Sequence, residues 1–141
     1  MRFYFVEPEV AGELGTRTIM DRSTHPPKVE RLHYDFSGWL GDALLESFPV
    51  FIATDAACSS IQNERLTGVQ FGPVEVTKSE QFDELYPGRQ LPKFTWVKVL
   101  GRPGIEDFGL AADHRLVVSE RALNVLRQFG LAQAIIEEYK A

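Results

Sequence analysis

Apolar residues recur at two spacings along this chain, and the shorter spacing predicts its strands. Residues 2–6 are rich in aromatic and β-branched side chains, a composition typical of a strand. Residues 31–36 alternate between polar and apolar side chains, which predicts a second strand with one buried face. Further strands are predicted over residues 50–53, 67–76, 94–100 and 116–118. Because Gly72–Pro73 interrupts residues 67–76, that segment is either a bent strand or two short strands.

The longer spacing predicts amphipathic helices. Thr54, Ser79 and Ser119 are N-cap residues placed just before predicted helices. These helices cover residues 55–65, 80–85 and 120–129. A further helix is predicted from Trp39 to Phe48, because its apolar residues recur at helical spacing up to Pro49.

Two segments have no clear periodicity. Residues 8–30 contain three prolines and two glycines, and we predict a long loop there. Residues 132–139 fit either a last helix or an edge strand.

The order of these elements predicts the fold class. Strands lie in adjacent pairs as well as beside helices, which is typical of an α+β domain with a mixed or mostly antiparallel sheet and packed helices. A length of 141 residues suits one such domain, so residues 1–141 are predicted to form a single globular unit. Residues 94–130 hold the strongest strand and the best-capped helix, and we expect them to form the centre of the core.

Composition and charge exclude several classes of function. The chain is 44% hydrophobic and 25% charged, as in soluble globular proteins, and no apolar run approaches the roughly 20 residues of a membrane span. Its start reads as a strand rather than a signal peptide, so we expect a cytoplasmic protein. Twenty acidic residues against fifteen basic ones give a net charge of −5, which argues against nucleic acid or an anionic membrane as a partner.

Catalytic motifs do not stand out in the sequence. The chain contains neither a glycine-rich phosphate loop nor a Gly-x-Ser-x-Gly elbow, and residues 107–109 (Asp-Phe-Gly) are predicted to form a turn. No cofactor or metal is predicted, because the three histidines are far apart in sequence. A small enzyme stays open as an alternative if His25, His33, His114 or Cys58 converge in space.

An acidic patch is the clearest candidate for a binding site. Glu80, Asp83 and Glu84 have i, i+3 and i, i+4 spacings, which gather three negative charges on one face of a short helix. Repulsion among these charges does not stabilise the helix, so helix stability does not explain why they are clustered. We therefore predict that the patch faces a basic protein partner. Three further acids, at Glu106, Asp107 and Asp113, are predicted to assist it.

The C-terminal part of the chain resembles a known group of proteins. Residues 107–110 read DFGL and residues 116–131 read LVVSERALNVLRQFGL, in which a short strand runs directly into a Ser-capped helix that ends at Gly-Leu. This segment is similar to the end of bacterial immunity proteins, which are encoded beside toxins in polymorphic-toxin and contact-dependent competition systems. A weaker similarity covers residues 39–51. The resemblance implies a cytoplasmic, non-catalytic inhibitor that neutralises a cognate toxin by direct binding.

A third class of function is an oligomerising regulatory or structural subunit. An exposed aromatic patch around Trp39, Phe48 and Trp96 would favour it, since such patches commonly mark interfaces. The sequence therefore leaves a homo-oligomer open as an alternative.

Overall fold

The computed structural model describes residues 1–140, which form twelve strands and three helices. The strands are β1 (Phe3–Glu7), β2 (Gly12–Leu14), β3 (Ile19–Asp21), β4 (Lys28–Phe36), β5 (Leu44–Ser47), β6 (Val50–Thr54), β7 (Val69–Gly72), β8 (Val74–Lys78), β9 (Phe94–Val99), β10 (Phe108–Leu110), β11 (Leu116–Ser119) and β12 (Ile135–Tyr139). The helices are α1 (Asp55–Asn63), α2 (Glu80–Leu85) and α3 (Glu120–Phe129). This architecture confirms the predicted α+β fold class.

The strands form three sheets with mostly antiparallel pairing. The first sheet has the order β10-β11-β1-β12, and the second has the order β5-β6-β9-β7. In the third sheet, β2 and β3 pair antiparallel with β4, while β8 pairs parallel with it. Gly72–Pro73 divides the predicted 67–76 strand, so that β7 joins the second sheet and β8 the third.

The second sheet is buried on both faces, and the core consists of two clusters. On one face, Phe51, Ala53 and Val97 pack with side chains of α1, α3 and the first sheet. On the other face, Ile52 and Trp96 pack with side chains of β4 and α2. Strand β9 lies between β6 and β7 within this sheet.

Local hydrogen bonds explain why the three helices begin where the sequence predicts. The hydroxyls of Thr54, Ser79 and Ser119 each accept a hydrogen bond from the backbone N–H three residues later, at 3.3, 3.2 and 3.1 Å. Helix α3 ends at Gly130, whose φ of +114° is one that residues with a Cβ rarely adopt.

The predicted helix from Trp39 to Phe48 is wrong. Residues 39–43 form a loop, and β5 follows it. The buried Glu9 carboxylate accepts hydrogen bonds from the backbone N–H groups of Leu40 (2.6 Å) and Asp42 (3.2 Å), which holds the loop open. The helical spacing of apolar residues was coincidental, because adjacent residues of β5 are buried on opposite faces of the sheet.

The two segments without periodicity also contain strands. Residues 8–30 include β2, β3 and the start of β4, so the predicted continuous loop is wrong. Their prolines and glycines interrupt short edge strands rather than abolish them. Residues 135–139 form β12, an edge strand paired with β1, which decides between helix and strand for the C-terminal segment.

Candidate functional site

Helix α2 carries its three acidic residues on the protein surface. Glu80, Asp83 and Glu84 are all exposed, and within residues 1–140 none of them forms an ion pair. We call these three residues the acidic face. The nearby cation Lys78 is engaged elsewhere, because its ammonium donates a hydrogen bond to the Arg89 carbonyl at 3.0 Å.

The acidic face is held on a rigid support. Phe82 of α2 is fully buried, and its ring contacts those of Phe36 and Tyr86. The Arg89 guanidinium stacks between Tyr86 and Trp39, at 5.0 and 4.8 Å from their ring centroids. Arg89 also donates a hydrogen bond to the Trp39 carbonyl at 2.8 Å. Helix α2 is therefore held by the Ser79 cap at its start and by the Arg89 stack on its C-cap residue Tyr86 just past its end.

The other three predicted acids lie outside α2, and each faces an arginine. The Glu106 carboxylate lies 3.7 Å from Arg102 and accepts a hydrogen bond from its backbone N–H. Asp113 pairs with Arg115 at 2.8 Å in the turn between β10 and β11. These arginines offset the negative charge, so the uncompensated acids of the predicted set are those of the acidic face.

Asp107 is a buried structural residue rather than a surface acid. Its carboxylate accepts hydrogen bonds from the Ser119 hydroxyl (2.6 Å), the Thr67 backbone N–H (2.8 Å) and Arg121 (3.2 Å). Burial alone would raise its pKa, but these hydrogen bonds and the Arg121 charge outweigh burial and lower the pKa. With its side chain turned inward and 8% of the residue exposed, Asp107 has little surface to offer a partner.

Cys58 lies inside the protein on α1. It is 6% exposed, and its Sγ donates a weak hydrogen bond to the Ala53 carbonyl. Burial, aided by the negative charge of Asp55, raises the pKa of the thiol to about 12. A thiol with this pKa forms almost no thiolate at neutral pH, which argues against a nucleophilic role.

His33 is buried and takes part in a series of hydrogen bonds that links β4 to β8. Its Nδ1 accepts a hydrogen bond from the Arg17 backbone N–H (3.2 Å), so its Nε2 carries the proton and donates to the Thr77 hydroxyl (2.7 Å). Thr77 in turn donates to Asp35 at 2.7 Å. Gly15 closes over the ring. Because both ring nitrogens are occupied, His33 has none left for a substrate.

The structure brings together two histidines that are remote in sequence. The rings of His25 and His114 lie 5.8 Å apart, and His25 also faces Phe48 at 6.1 Å. No pattern in the sequence indicates this proximity, because it depends on how the loops before β4 and β11 fold. Cys58 and His33 contribute nothing to this pair.

An apolar groove of about 310 Å³ lies where β4 and β6 begin and β9 ends. Apolar residues make up most of its wall, among them Val29, Val50, Trp96, Leu100 and Leu110. Sequence reasoning missed this groove. The exposed aromatic patch that would have favoured an oligomerising subunit does not form, because Trp96 is only 8% exposed and Trp39 is half-buried, which leaves Phe48 at 49%.

Comparisons with known proteins add no family to this description. No protein-family model matches the chain, and no curated protein matches it significantly. Within residues 1–140, the structure contains no group of three or more His, Cys, Asp or Glu side chains arranged to hold a metal ion. None of the helices in this range is long and apolar enough to cross a membrane.

Proposed function

We propose that this protein is a non-catalytic binding protein that engages a basic protein partner through the acidic face of α2. We further propose that the partner is a cognate bacterial toxin domain, which the protein neutralises by direct binding in the cytoplasm. The observation that carries the proposal is the set of three exposed, unpaired carboxylates on a helix anchored at both ends.

The electrostatics of α2 support a binding role. Like charges at i, i+3 and i, i+4 destabilise a helix by a few tenths of a kcal/mol per pair, so the acidic face has a cost in folding free energy. Carboxylates near the helix start interact favourably with the helix dipole, but Glu84 lies past the first turn. A complementary basic surface would gain from all three charges at once.

Preorganisation supports the same role. A partner that binds α2 does not need to order the helix, because buried Phe82 and the Arg89 stack already hold it. Charges on a fixed support produce a directed potential, which raises association rates more than it deepens the complex.

Cys58 and His33, two of the four candidate catalytic residues, have environments that favour binding over catalysis. Cys58 is a buried thiol with a raised pKa, and both nitrogens of His33 are already hydrogen-bonded. The other two, His25 and His114, do come together, but within residues 1–140 no third His, Cys, Asp or Glu joins them in a group that could hold a metal ion. The similarity of residues 107–131 to immunity proteins is the reason for proposing a toxin as the partner.

Co-expression with a toxin tests the proposal. The proposal requires a toxin domain encoded beside this gene, and that domain is expressed alone, with the native protein, and with a variant in which Glu80, Asp83 and Glu84 are all changed to Lys. We expect the native protein to restore growth and to copurify with the toxin domain, and the variant to do both less well.

A matched variant separates local charge from net charge. Changing the exposed Glu30, Glu64 and Glu137 to Lys shifts the net charge equally, from −5 to +1, but leaves α2 intact. This control should restore growth like the native protein. Failure of the native protein to restore growth or to bind the toxin domain would overturn the proposal.

A further inference from the structure

The apolar groove has an unusual charge distribution for this protein. Within residues 1–140, the only charged side chains that line the groove are those of Lys28 and Lys98. Both are positive, although the whole chain has a net charge of −5. Neither lysine forms an ion pair in this part of the chain. Asp21 attracts Lys28 only from beyond ion-pair distance. The groove therefore combines apolar walls with two available positive charges.

Lys98 is held in position at the groove. Its Nζ lies 4.4 Å from the centroid of the Trp96 ring, a cation–π contact. The side chain runs close to Gly72, where an added Cβ would come within 3.0 Å of Lys98 Cε. The ammonium therefore lies over the indole and close to the Gly72 backbone.

We propose that this groove binds a small amphipathic anion, of which a medium-chain carboxylate is the simplest form. The apolar chain would lie against Val29, Val50 and Trp96, and the carboxylate would accept hydrogen bonds from Lys28 and Lys98. A volume of about 310 Å³ is at the lower end of the range for ligand pockets, which favours a small ligand. This site uses a different surface from the acidic face and does not depend on it.

The two tryptophans provide an internal control for a binding experiment. Trp96 lines the groove, whereas Trp39 stacks against Arg89 beside α2. Octanoate is titrated into the labelled protein while the two indole N–H signals are followed by nitrogen–proton correlation NMR. Trp39→Phe assigns the signals. We expect the Trp96 signal to shift saturably, with a dissociation constant in roughly the millimolar range for a ligand of about ten non-hydrogen atoms, and the Trp39 signal to stay in place.

Changes to ligand and protein test the role of charge. Octanol and octylammonium have the same apolar chain without the negative head, and we expect both to bind more weakly than octanoate. Changing Lys28 and Lys98 together to Met should weaken octanoate binding about tenfold, since each exposed ion pair contributes a few-fold. Lys98→Arg should retain binding. Lys93→Met is the matched control, because Lys93 is exposed at the opposite end of β9.

Three results would overturn the inference. The first is the absence of a selective Trp96 shift with octanoate in the native protein. The second is equal binding of octanoate, octanol and octylammonium, and the third is unchanged octanoate binding in the double Met variant. Either of the last two would make the groove an apolar surface without anion preference.

Discussion

Replacing Asp107 with alanine removes the carboxylate that joins three separate segments of the chain. Its side chain links Thr67 before β7, Ser119 at the end of β11 and Arg121 in the first turn of α3. The Ser119 hydroxyl also caps α3, so the loss reaches the helix start. We expect Asp107→Ala to lower the free energy of unfolding while leaving the acidic face unchanged.

The geometry sets the size of this effect. Hydrogen bonds to a charged group contribute about 1.5–3 kcal/mol each. Ser119 is fully buried and loses its partner outright, but the Arg121 side chain is 53% exposed and Thr67 is also exposed, so water replaces much of what they lose. We therefore expect a loss of about 2–4 kcal/mol at neutral pH, well below the sum of three full contributions.

The pH dependence has a definite sign. The pKa of Asp107 is lowered below its ordinary value of 3.8 in the folded state. Its contribution to stability is therefore complete above that ordinary value and disappears as the pH falls through the folded-state pKa. Asp107→Asn is similar in shape but does not titrate, so the stability gap between the native protein and Asp107→Asn should narrow below about pH 4.

Urea unfolding followed by circular dichroism measures both effects. Curves at pH 7 give the loss for Asp107→Ala, and a series from pH 6 down to about pH 2.5 gives the gap for Asp107→Asn. A loss below about 1 kcal/mol, or a gap that stays constant with pH, would refute the assignment of Asp107 as a charged structural residue.

Three shorter predictions test other parts of the structure. Leu126→Ala should cost roughly 2–5 kcal/mol in urea unfolding, because Leu126 is fully buried in the α3 core; a loss below about 1 kcal/mol would contradict this. Cys58 should react with a thiol reagent at least about 100-fold more slowly in the folded protein than in urea, and equal rates would show an accessible thiol. Gly15→Ala should lower stability by about 1–3 kcal/mol, since the added Cβ would lie 2.1 Å from His33 Nδ1; unchanged thermal unfolding would disprove that contact.

The helices and the strongest strands could be predicted because their signals are local. Ser79 and Ser119 stand immediately before apolar residues at helical spacing, and each hydroxyl bonds to an N–H only three residues away. The alternation in residues 31–36 likewise identifies the face of β4 that carries Leu32, Tyr34 and Phe36, although His33 on the other face is buried as well. Such features depend little on the rest of the chain, so the structure confirms what the sequence alone predicted for them.

The Trp39–Phe48 segment shows where local reasoning fails. Its apolar spacing fits a helix, but Glu9 from another part of the chain satisfies the backbone of the loop, and both faces of β5 are buried. Asp42 extends this pattern by accepting hydrogen bonds from the backbone N–H groups of Ala132 and Gln133. Tertiary hydrogen bonds of this kind override local propensity and leave no periodic signal.

The candidate site likewise has one part that the sequence predicts and other parts that it does not. Helical spacing places three acids on one surface, namely Glu80, Asp83 and Glu84. This spacing can be read directly from the sequence. The inward role of Asp107 depends on distant Thr67, and the apolar groove is assembled from four strands. Neither could be read from neighbouring residues.

The association rate with the toxin domain tests the central claim most directly. Stopped-flow mixing across a range of salt concentrations compares the native protein, the Lys variant of the acidic face and the matched Lys variant at Glu30, Glu64 and Glu137. We expect the acidic-face variant to associate roughly tenfold more slowly at low salt, with a gap that shrinks as salt screens the field, while the matched variant stays much closer to the native rate. If the acidic-face variant folds normally and associates at the native rate at low salt, the interface lies elsewhere, and residues 8–30 are the next segment to test.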